Sequence, residues 1–469
     1  MTAAAEPGGA GGSSGRAPES VIAFGGAPGD PPKTWLDLIA AADQVRASLV
    51  ERGWQRPLVF CGDRFAFLAC LLAAWESSGL PILPANGRPE TLRALVDAGA
   101  ADGLVHDGVV QGTPGLEVSP ACVDAGAAGA DALARAARLF ARRDHDPLLA
   151  LYSSGSTGAP SASIKTAAQL FGEADTLART FDLGARTRLL ATAPPHHIYG
   201  LLAGVLAPLY AGGAFLRQTP LHAPAIARLV AEHGVDVLCA VPPHLHGLQV
   251  LAPGSIAGVT RVFSSGARLP PETAEFMRQR FGLGVTELLG SSETGGIAWR
   301  LATDGADWTP LPGVEVSADL DGTLLLDSPF AARHEPRPRR CADRIEMTAG
   351  ARFRHLGRAD AIVKIAGERV SLPEVEQRLL ALDGVRDAAV LALDDAGPRQ
   401  HEICAAVVAP GLSVADLRQA LAGWFDPVAI PRRFALVDRL PREETGKLPR
   451  SRLEALFASE RQDREGGPR

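Results

Sequence analysis

Between residues 34 and 300, short apolar runs take turns with amphipathic stretches, and no other feature of this chain restricts its fold so strongly. The runs are PLVF (57–60), LLALYS (148–153), RLLATA (188–193), VDVLCAV (235–241), TRVFSS (260–265) and VTELLG (285–290). The stretches between them, such as AADQVRASLVERG (41–53) and PPETAEFMRQRFG (270–282), carry apolar residues at helical spacing. Strand followed by helix, repeated, predicts a layered α/β fold with largely parallel sheets.

From 300 to 357 the strands shorten and turns multiply, and in ADLDGTLLLDSP (318–329) the pair Asp321-Gly322 marks a hairpin. This region is expected to close the large domain with antiparallel strands. After GRAD (357–360) a compact α+β unit follows: strand 361–367, helix 371–382, strands 387–393 and 402–409, helix 414–425 and strand 432–438. Ser371, with Glu374 three residues on, reads as a capping box for its first helix. The 469 residues exceed the roughly 250–300 that one core holds, so at least two domains are expected. The expected division is a disordered tail at 1–22, a large domain of αβαβα layers at 23–357, a small α+β domain at 358–460 and a polar tail at 461–469.

Charge and cysteine usage exclude several classes of function. Lys plus Arg number 47 against 53 Asp plus Glu, a net charge of −6, so nucleic acid is not an expected partner. The longest apolar stretch, LLAGVLAPLYAGGAF (201–215), is too short to span a membrane and contains Pro208; it reads as a buried helix and strand. Residues 1–20 lack the charged start and apolar run of a signal peptide, so a cytoplasmic location is expected. The six cysteines are widely spaced with no CxxC pair, which argues for buried thiols rather than a zinc site or disulfides. His196, His197, His244 and His246 have no carboxylate or cysteine beside them at ligand spacing. GGSSG (11–15) formally satisfies a hydrolase motif, but no strand precedes it. Only Lys33, Lys165, Lys364 and Lys447 are lysines, and three of them fall inside the motifs below.

The chemistry is concentrated first in LLALYSSGSTGAPSASIKT (148–166). An apolar strand ends in a loop of small and hydroxylated residues, and a helix is predicted to start near Thr166. Such a loop lets backbone N–H groups and hydroxyls converge on anionic oxygens, although taken alone it reads equally as a flexible connection. It lacks the Gly-Lys-Ser/Thr of a Walker loop.

This segment resembles the SGSTGxPK phosphate loop of the adenylate-forming superfamily, which contains acyl- and aryl-CoA synthetases, peptide-synthetase adenylation domains and luciferases. Further resemblances follow in that family's order: APPHHIYGLL (193–202) to PxxHxxG, VFSSGARLPPETAEFMRQRFG (262–282) to a GGAxL stretch, and LLGSSETGG (288–296) to YGxTE. CADRIEM (341–347) is similar to a TGD segment, GRADAIVKIAGERVSLPEVEQRL (357–379) to GRxDxxxKxxGxRVxxxEVE, and LPREETGKLPR (440–450) to LPxxxxGKxxR.

The resemblance implies an AMP-forming acid–thiol ligase with a mobile small domain. It activates a small-molecule carboxylic acid with ATP and Mg²⁺ and acylates the thiol of CoA or of an acyl carrier protein's phosphopantetheine. It places Ser153, Ser154, Gly155, Ser156, Thr157 and Gly158 on the triphosphate, and Gly266, Ala267 and Leu289 around the nucleotide. Glu293 is implied as the Mg²⁺-associated carboxylate, with Ser292 as a hydroxyl to phosphate. Asp343 and Arg358 would hold the ribose, Asp360 would be the hinge, and Lys447 would bridge acyl carboxylate and α-phosphate. His197 would lie between acyl pocket and thiol tunnel, with Gly290 and Ser291 lining the acyl pocket. Lys364 and Gly367 would face the thiol.

Two positions depart from the family pattern. The lysine expected after Gly-x-Pro is Ser161, with Lys165 four residues later as the ammonium expected to return to the phosphates; and the aromatic of YGxTE is Leu289. Relatives that activate amino acids carry an Asp shortly after PxxHxxG, whereas IYGLLAGVLAPL offers no carboxylate, so an aromatic or medium-chain acid is expected. The chain is similar to the compact ligases of aryl-polyene or polyketide pigment pathways, an analogy that brings in the carrier protein.

Overall fold

The computed structural model describes residues 18–27, 29–110, 115–118, 130–153, 161–332, 337–358, 362–365, 368–394, 401–422, 425, 427, 429–443 and 446–458. They gather into two compact units, 1–305 with 310–314 and 328–335, and 306–309 with 315–327 and 336–469.

In the first unit, strand and helix alternate as expected and build two sheets. One contains the parallel strands Arg188–Ala191, Val237–Ala240, Arg261–Ser264 and Val285–Ser291, each registered against the next, with Gly295–Leu301 folding back antiparallel on the last. On the other flank Ala214–Leu216 and Val21–Phe24 continue the parallel order. The second sheet runs in the order Leu116–Glu117, Gly103–His106, Pro57–Phe60, Ile82–Leu83, Pro147–Ser153 and Ser161–Thr166. All its pairs are parallel except the last, a hairpin. The strands are short and apolar because both faces are covered: Leu189, Leu190, Val237, Leu238, Val262 and Val285 are almost wholly buried.

Local chemistry sets the helix ends. Trp35–Arg52 starts earlier than its 41–53 pattern suggests, because Thr34 and Asp37 form a capping box, and it stops at Gly53 with φ +68°. Arg64–Glu76 is apolar around its whole circumference and buried along nearly all its length, and the Trp75 indole donates to the Leu148 carbonyl at 2.7 Å. Stretch 201–215 is the expected buried helix and strand, with one refinement: Leu202–Leu206 is a π-helical turn between Ile198–Leu201 and Ala207–Ala211. No helix among the described residues is long and apolar enough to cross a membrane.

In the second unit, Glu315–Ala318, Thr323–Asp327, Arg339–Met347 and Phe353–Arg358 form the expected antiparallel strands, and Asp321-Gly322 makes the hairpin turn. Its α+β part holds the hairpin Ile362–Ile365/Glu368–Ser371, the helices Leu372–Leu380 and Val414–Ala422, and the sheet Asp387–Asp394, His401–Val408, Arg433–Leu436. Val375, Leu379, Ala405, Val407, Leu417 and Leu421 are the centre of its core. Ser371 lies on a strand whose side chain is outside the described residues, so the capping box at that helix does too. Cys61, Cys70, Cys239, Cys341 and Cys404 are buried free thiols, and Cys122 lies outside the described residues.

Candidate active site

Four parallel neighbours end at one edge of the first sheet; their carboxyl ends release 192–197, 265–269 and 291–294, which fall on the sequence motifs, and 241–247, which no motif marks. Crevices at the carboxyl ends of parallel strands are where open α/β sheets bind ligands, since loops there gather from several strands.

His197 stands at the N-cap of Ile198–Leu201, and its N–H donates to the Pro194 carbonyl at 3.2 Å. The glycine of this motif has a steric reason: a Cβ on Gly200 would collide with that same carbonyl oxygen. His196 is buried, its ring 4.7 Å from Phe60 and 4.3 Å from His197. Burial, then the charges of His197 and Arg64, hold its pKa well below the ordinary histidine range, so it stays neutral. Arg64, fully buried, anchors the whole crossing: Nη2 donates to the carbonyls of Ala191 (2.8 Å) and Ala193 (2.6 Å), and Nη1 to that of Gln218 (2.5 Å). Desolvation lowers its pKa to about 10, still charged at neutral pH. No motif pointed to Arg64; a lone arginine at the head of an apolar helix was the available signal. No group of three His, Cys, Asp or Glu side chains that could hold a metal occurs among the described residues.

Glu293 sits at the tip of the hairpin Val285–Ser291/Gly295–Leu301, and the tip is knitted by hydroxyls. The N–H of Ser291 donates to Thr294 Oγ1 (3.1 Å), and the N–H groups of Glu293 and Thr294 donate to Ser291 Oγ (3.3 and 3.2 Å). Glu293 is thereby exposed on a stiff turn, beside half-buried Ser292 and exposed Gly290 and Ser291. Gly290 has no room for a Cβ, which would lie 2.5 Å from the Gly295 carbonyl. Gly266 has φ +87°, and Ser265 Oγ donates to the Leu288 carbonyl (2.9 Å), which ties the 265–267 loop, with Ala267, to the Glu293 hairpin. Leu289 is half-buried opposite Ala298.

Ser153 and Ser161 face each other in the hairpin register, while Ser154, Gly155, Ser156, Thr157 and Gly158 lie outside the described residues. Lys165 lies on the second strand of this hairpin. Residues 161–166 are a strand rather than a continuing loop, and Lys165 pairs with Leu149, about 13 Å along the strand from Ser161. Its side chain is 2% exposed and Nζ donates to the Phe330 carbonyl at 3.2 Å. The period of two turns it inward.

In the core between this sheet and the helix Ala167–Thr180 lies a small apolar gap lined by Leu177, Phe181, Leu189, Ala203, Cys239 and Phe263, among others, none of them charged. Tyr199 packs against this cluster, and its hydroxyl donates to the Ala240 carbonyl at 3.4 Å.

In the second unit, Asp343 and Arg358 stand opposite each other across neighbouring strands. His355 Nε2 donates to Asp343 Oδ1 at 2.8 Å, a partner that the motif did not foretell. Lys447 is exposed in a turn whose glycine, Gly446, has φ +82°; the Glu443 N–H donates to the Lys447 carbonyl (2.7 Å). Arg442 holds this turn, donating to the Gly446 carbonyl (3.2 Å) and pairing with both oxygens of Asp387 (3.0 and 2.8 Å). Lys364 is on the strand Ile362–Ile365, and Asp360 and Gly367 lie outside the described residues, as do the side chains of Arg358 and Lys364.

The profile of the AMP-binding enzyme family matches residues 16–321, and that of the AMP-binding enzyme C-terminal domain matches 374–447. The chain is 30% identical over 339 residues to a sulfoacetate–CoA ligase of Cupriavidus necator, covering 66% of each chain. It is 33% identical over 314 residues to a 4-coumarate–CoA ligase of Rhodobacter capsulatus, covering 66% of this chain and 77% of that one. Among solved structures, ATP-bound MatB from Rhodopseudomonas palustris shares the fold with a TM-score of 0.78 at 23% identity, over 94% of this chain and 96% of that one.

Proposed function

The chain belongs to the AMP-binding enzyme family, and from that premise we propose that it is an ATP-dependent ligase that joins an apolar aromatic or medium-chain carboxylic acid to a pantetheine thiol. Both curated relatives named above are CoA ligases, and one of them acts on an aromatic acid. The observation that carries the acid class is the absence of a carboxylate from IYGLLAGVLAPL (198–209), where relatives that activate amino acids carry an Asp: an α-ammonium there would meet no counter-charge.

A carboxylate is a poor electrophile because oxide is a poor leaving group. In the first half-reaction a carboxylate oxygen attacks the α-phosphorus of ATP and pyrophosphate leaves, giving the acyl-adenylate. In the second, the thiol sulfur attacks the acyl carbon, the thiol proton is lost and AMP leaves. Two anions converge in the first step, so charge neutralisation and positioning are the main tasks of the protein. We assign the first-step ammonium to Lys447, the ribose hydroxyls to Asp343 with Arg358, and the acyl end to His197, Gly290 and Ser291. Ser153 to Gly158 are assigned to the triphosphate, and the hinge and thiol-side roles to Asp360, Lys364 and Gly367.

One exposed carboxylate on a stiff turn suits Mg²⁺, which keeps most of its waters and binds through one or two carboxylates plus phosphate oxygens. Glu293, with the Ser292 hydroxyl beside it, would hold it. When bound there, Mg²⁺ neutralises charge on the phosphate oxygens.

A panel of benzoates, cinnamates, fatty acids and amino acids in pyrophosphate exchange, with hydroxylamine trapping of the adenylates, tests this reading. Exchange with aryl or medium-chain acids is the expected result, and turnover of amino acids alone refutes it. Thioester assays with free CoA and with a phosphopantetheinylated carrier protein then identify the thiol. ATP binding without exchange for any acid would mark a binding protein instead.

A further inference from the structure

We propose that Lys165, Gln169 and Glu173 form a buried clamp that positions the Glu293 hairpin for magnesium-bound ATP by tying it to the 147–166 hairpin. The proposal deepens the ligase reading above and rests on it. The three side chains are 2–4% exposed. Gln169 and Glu173, four residues apart, share one face of the helix Ala167–Thr180, and Lys165 precedes its N-cap, Thr166.

Each long polar side chain grips the backbone of a distant segment. Lys165 Nζ donates to the Phe330 carbonyl (3.2 Å) and Gln169 Nε2 to the Ala331 carbonyl (2.7 Å). Glu173 Oε1 accepts from the Gly296 N–H at 2.7 Å. Its other oxygen lies 2.8 Å from where a Cβ on Gly295 would stand, and Gly295 has φ +69°, so only glycine lets this backbone close on the carboxylate. Burial favours the neutral form of Glu173, whereas the Lys165 charge and the Gly296 N–H favour the carboxylate.

A buried ammonium and carboxylate seldom stabilise a fold more than apolar side chains of the same volume; what they add is direction. Here the direction is toward one place. Gly295 and Gly296 begin the strand that pairs with Gly290 and Ser291, and Glu293 is the turn between them. A shift at Gly296 therefore moves Glu293. Lys165 belongs to the hairpin whose two strands are joined by SGSTGAP (154–160), so a single cluster sets the distance between the phosphate-loop hairpin and the Glu293 turn. Glu173 is a positioning residue, since it touches the turn and not the reacting atoms.

The test uses Lys165→Met and Glu173→Gln in the full-length chain, with Mg·ATP affinity by calorimetry and KM values from pyrophosphate exchange. Either variant should bind Mg·ATP about tenfold more weakly, with the KM for the acid changed by less than about twofold, because displacement of about 1 Å at a ligand-holding turn is costly and selective. Unchanged Mg·ATP affinity in a folded variant overturns the clamp, as does an equal loss for ATP and acid. Failure of both variants to fold also overturns it, because the cluster would then be a determinant of the fold and not a positioning device. Wild-type protein that binds Mg·ATP but exchanges no acid refutes the ligase reading while the calorimetric comparison still decides the clamp. Wild-type protein that does not bind Mg·ATP refutes both.

Discussion

At position 196 an imidazole is buried between Phe60 and His197, near the Arg64 guanidinium, and its pKa lies well below 6.5. The unfolded chain takes up a proton at 196 as pH falls through about 6.5, and the folded chain does not, so stability is full above that pH and declines below it. The limiting slope for one proton is about 1.4 kcal/mol per pH unit. His196→Phe, which keeps an aromatic ring against Phe60, should flatten the acid limb of a plot of Tm against pH between 5 and 7. An unchanged acid limb would show that His196 is not responsible for it. His196 and Arg64 share a lesson in legibility. The pattern PxxHxxG pointed to His197 and Gly200, but the ring that packs against His197 and the guanidinium that pins its loop were visible only once residues 60–64 met residues 191–197 in space.

Among the elements, the helix Ala167–Thr180 carries the most information per residue. Thr166 caps it: the Gln169 N–H donates to Thr166 Oγ1 (3.3 Å) and Gln169 Oε1 accepts from the Thr166 N–H (2.9 Å). This reciprocal pair explains why the helix starts where the sequence places it, near Thr166. Thr166→Ala should cost about 1 kcal/mol, seen as a Tm lower by roughly 2–4 °C. No change in Tm would mean that the cap is replaced by water or by a frayed first turn. The preceding six residues show the limit of local reading. SASIKT alternates polar and apolar residues at the strand period, but its faces are inverted, with Ile164 exposed and Lys165 buried, and pairing with Pro147–Ser153 decided that orientation. Pairing also set the direction of Lys165, whose place after the loop suggested the phosphates and whose strand position turned it inward.

At the scale of the whole molecule, the two units carry different parts of the proposed chemistry. Glu293, His197 and the phosphate-loop strands belong to the first, while Asp343, Lys364 and Lys447 belong to the second. Lys447→Ala should lose pyrophosphate exchange by roughly 10²–10⁴-fold, the scale of removing one charge contact made in the transition state. The same variant should still convert chemically supplied acyl-adenylate to thioester, because charge convergence is confined to the first half-reaction. Full exchange, or equal loss of both half-reactions, would overturn the role given to Lys447. The turn that presents Lys447 is held by Arg442 and Asp387, 55 residues apart, a coupling absent from the motif LPREETGKLPR.

What the sequence determined by itself is what depends on near neighbours. Apolar runs of four to seven residues became parallel strands, capping and glycine signals stopped helices near their expected ends, Asp321-Gly322 turned a hairpin, and contiguous motifs named the family. These are local or repetitive signals, and the physics behind them acts within a few residues. Tertiary structure alone decided which distant backbone groups each buried polar side chain would satisfy: Arg64 with Ala191 and Ala193, Glu173 with Gly296 and Lys165 with Phe330. Burial makes an unpaired polar group costly, so a partner must be found, but the partner is chosen by packing across the fold and leaves no mark on the residues nearby.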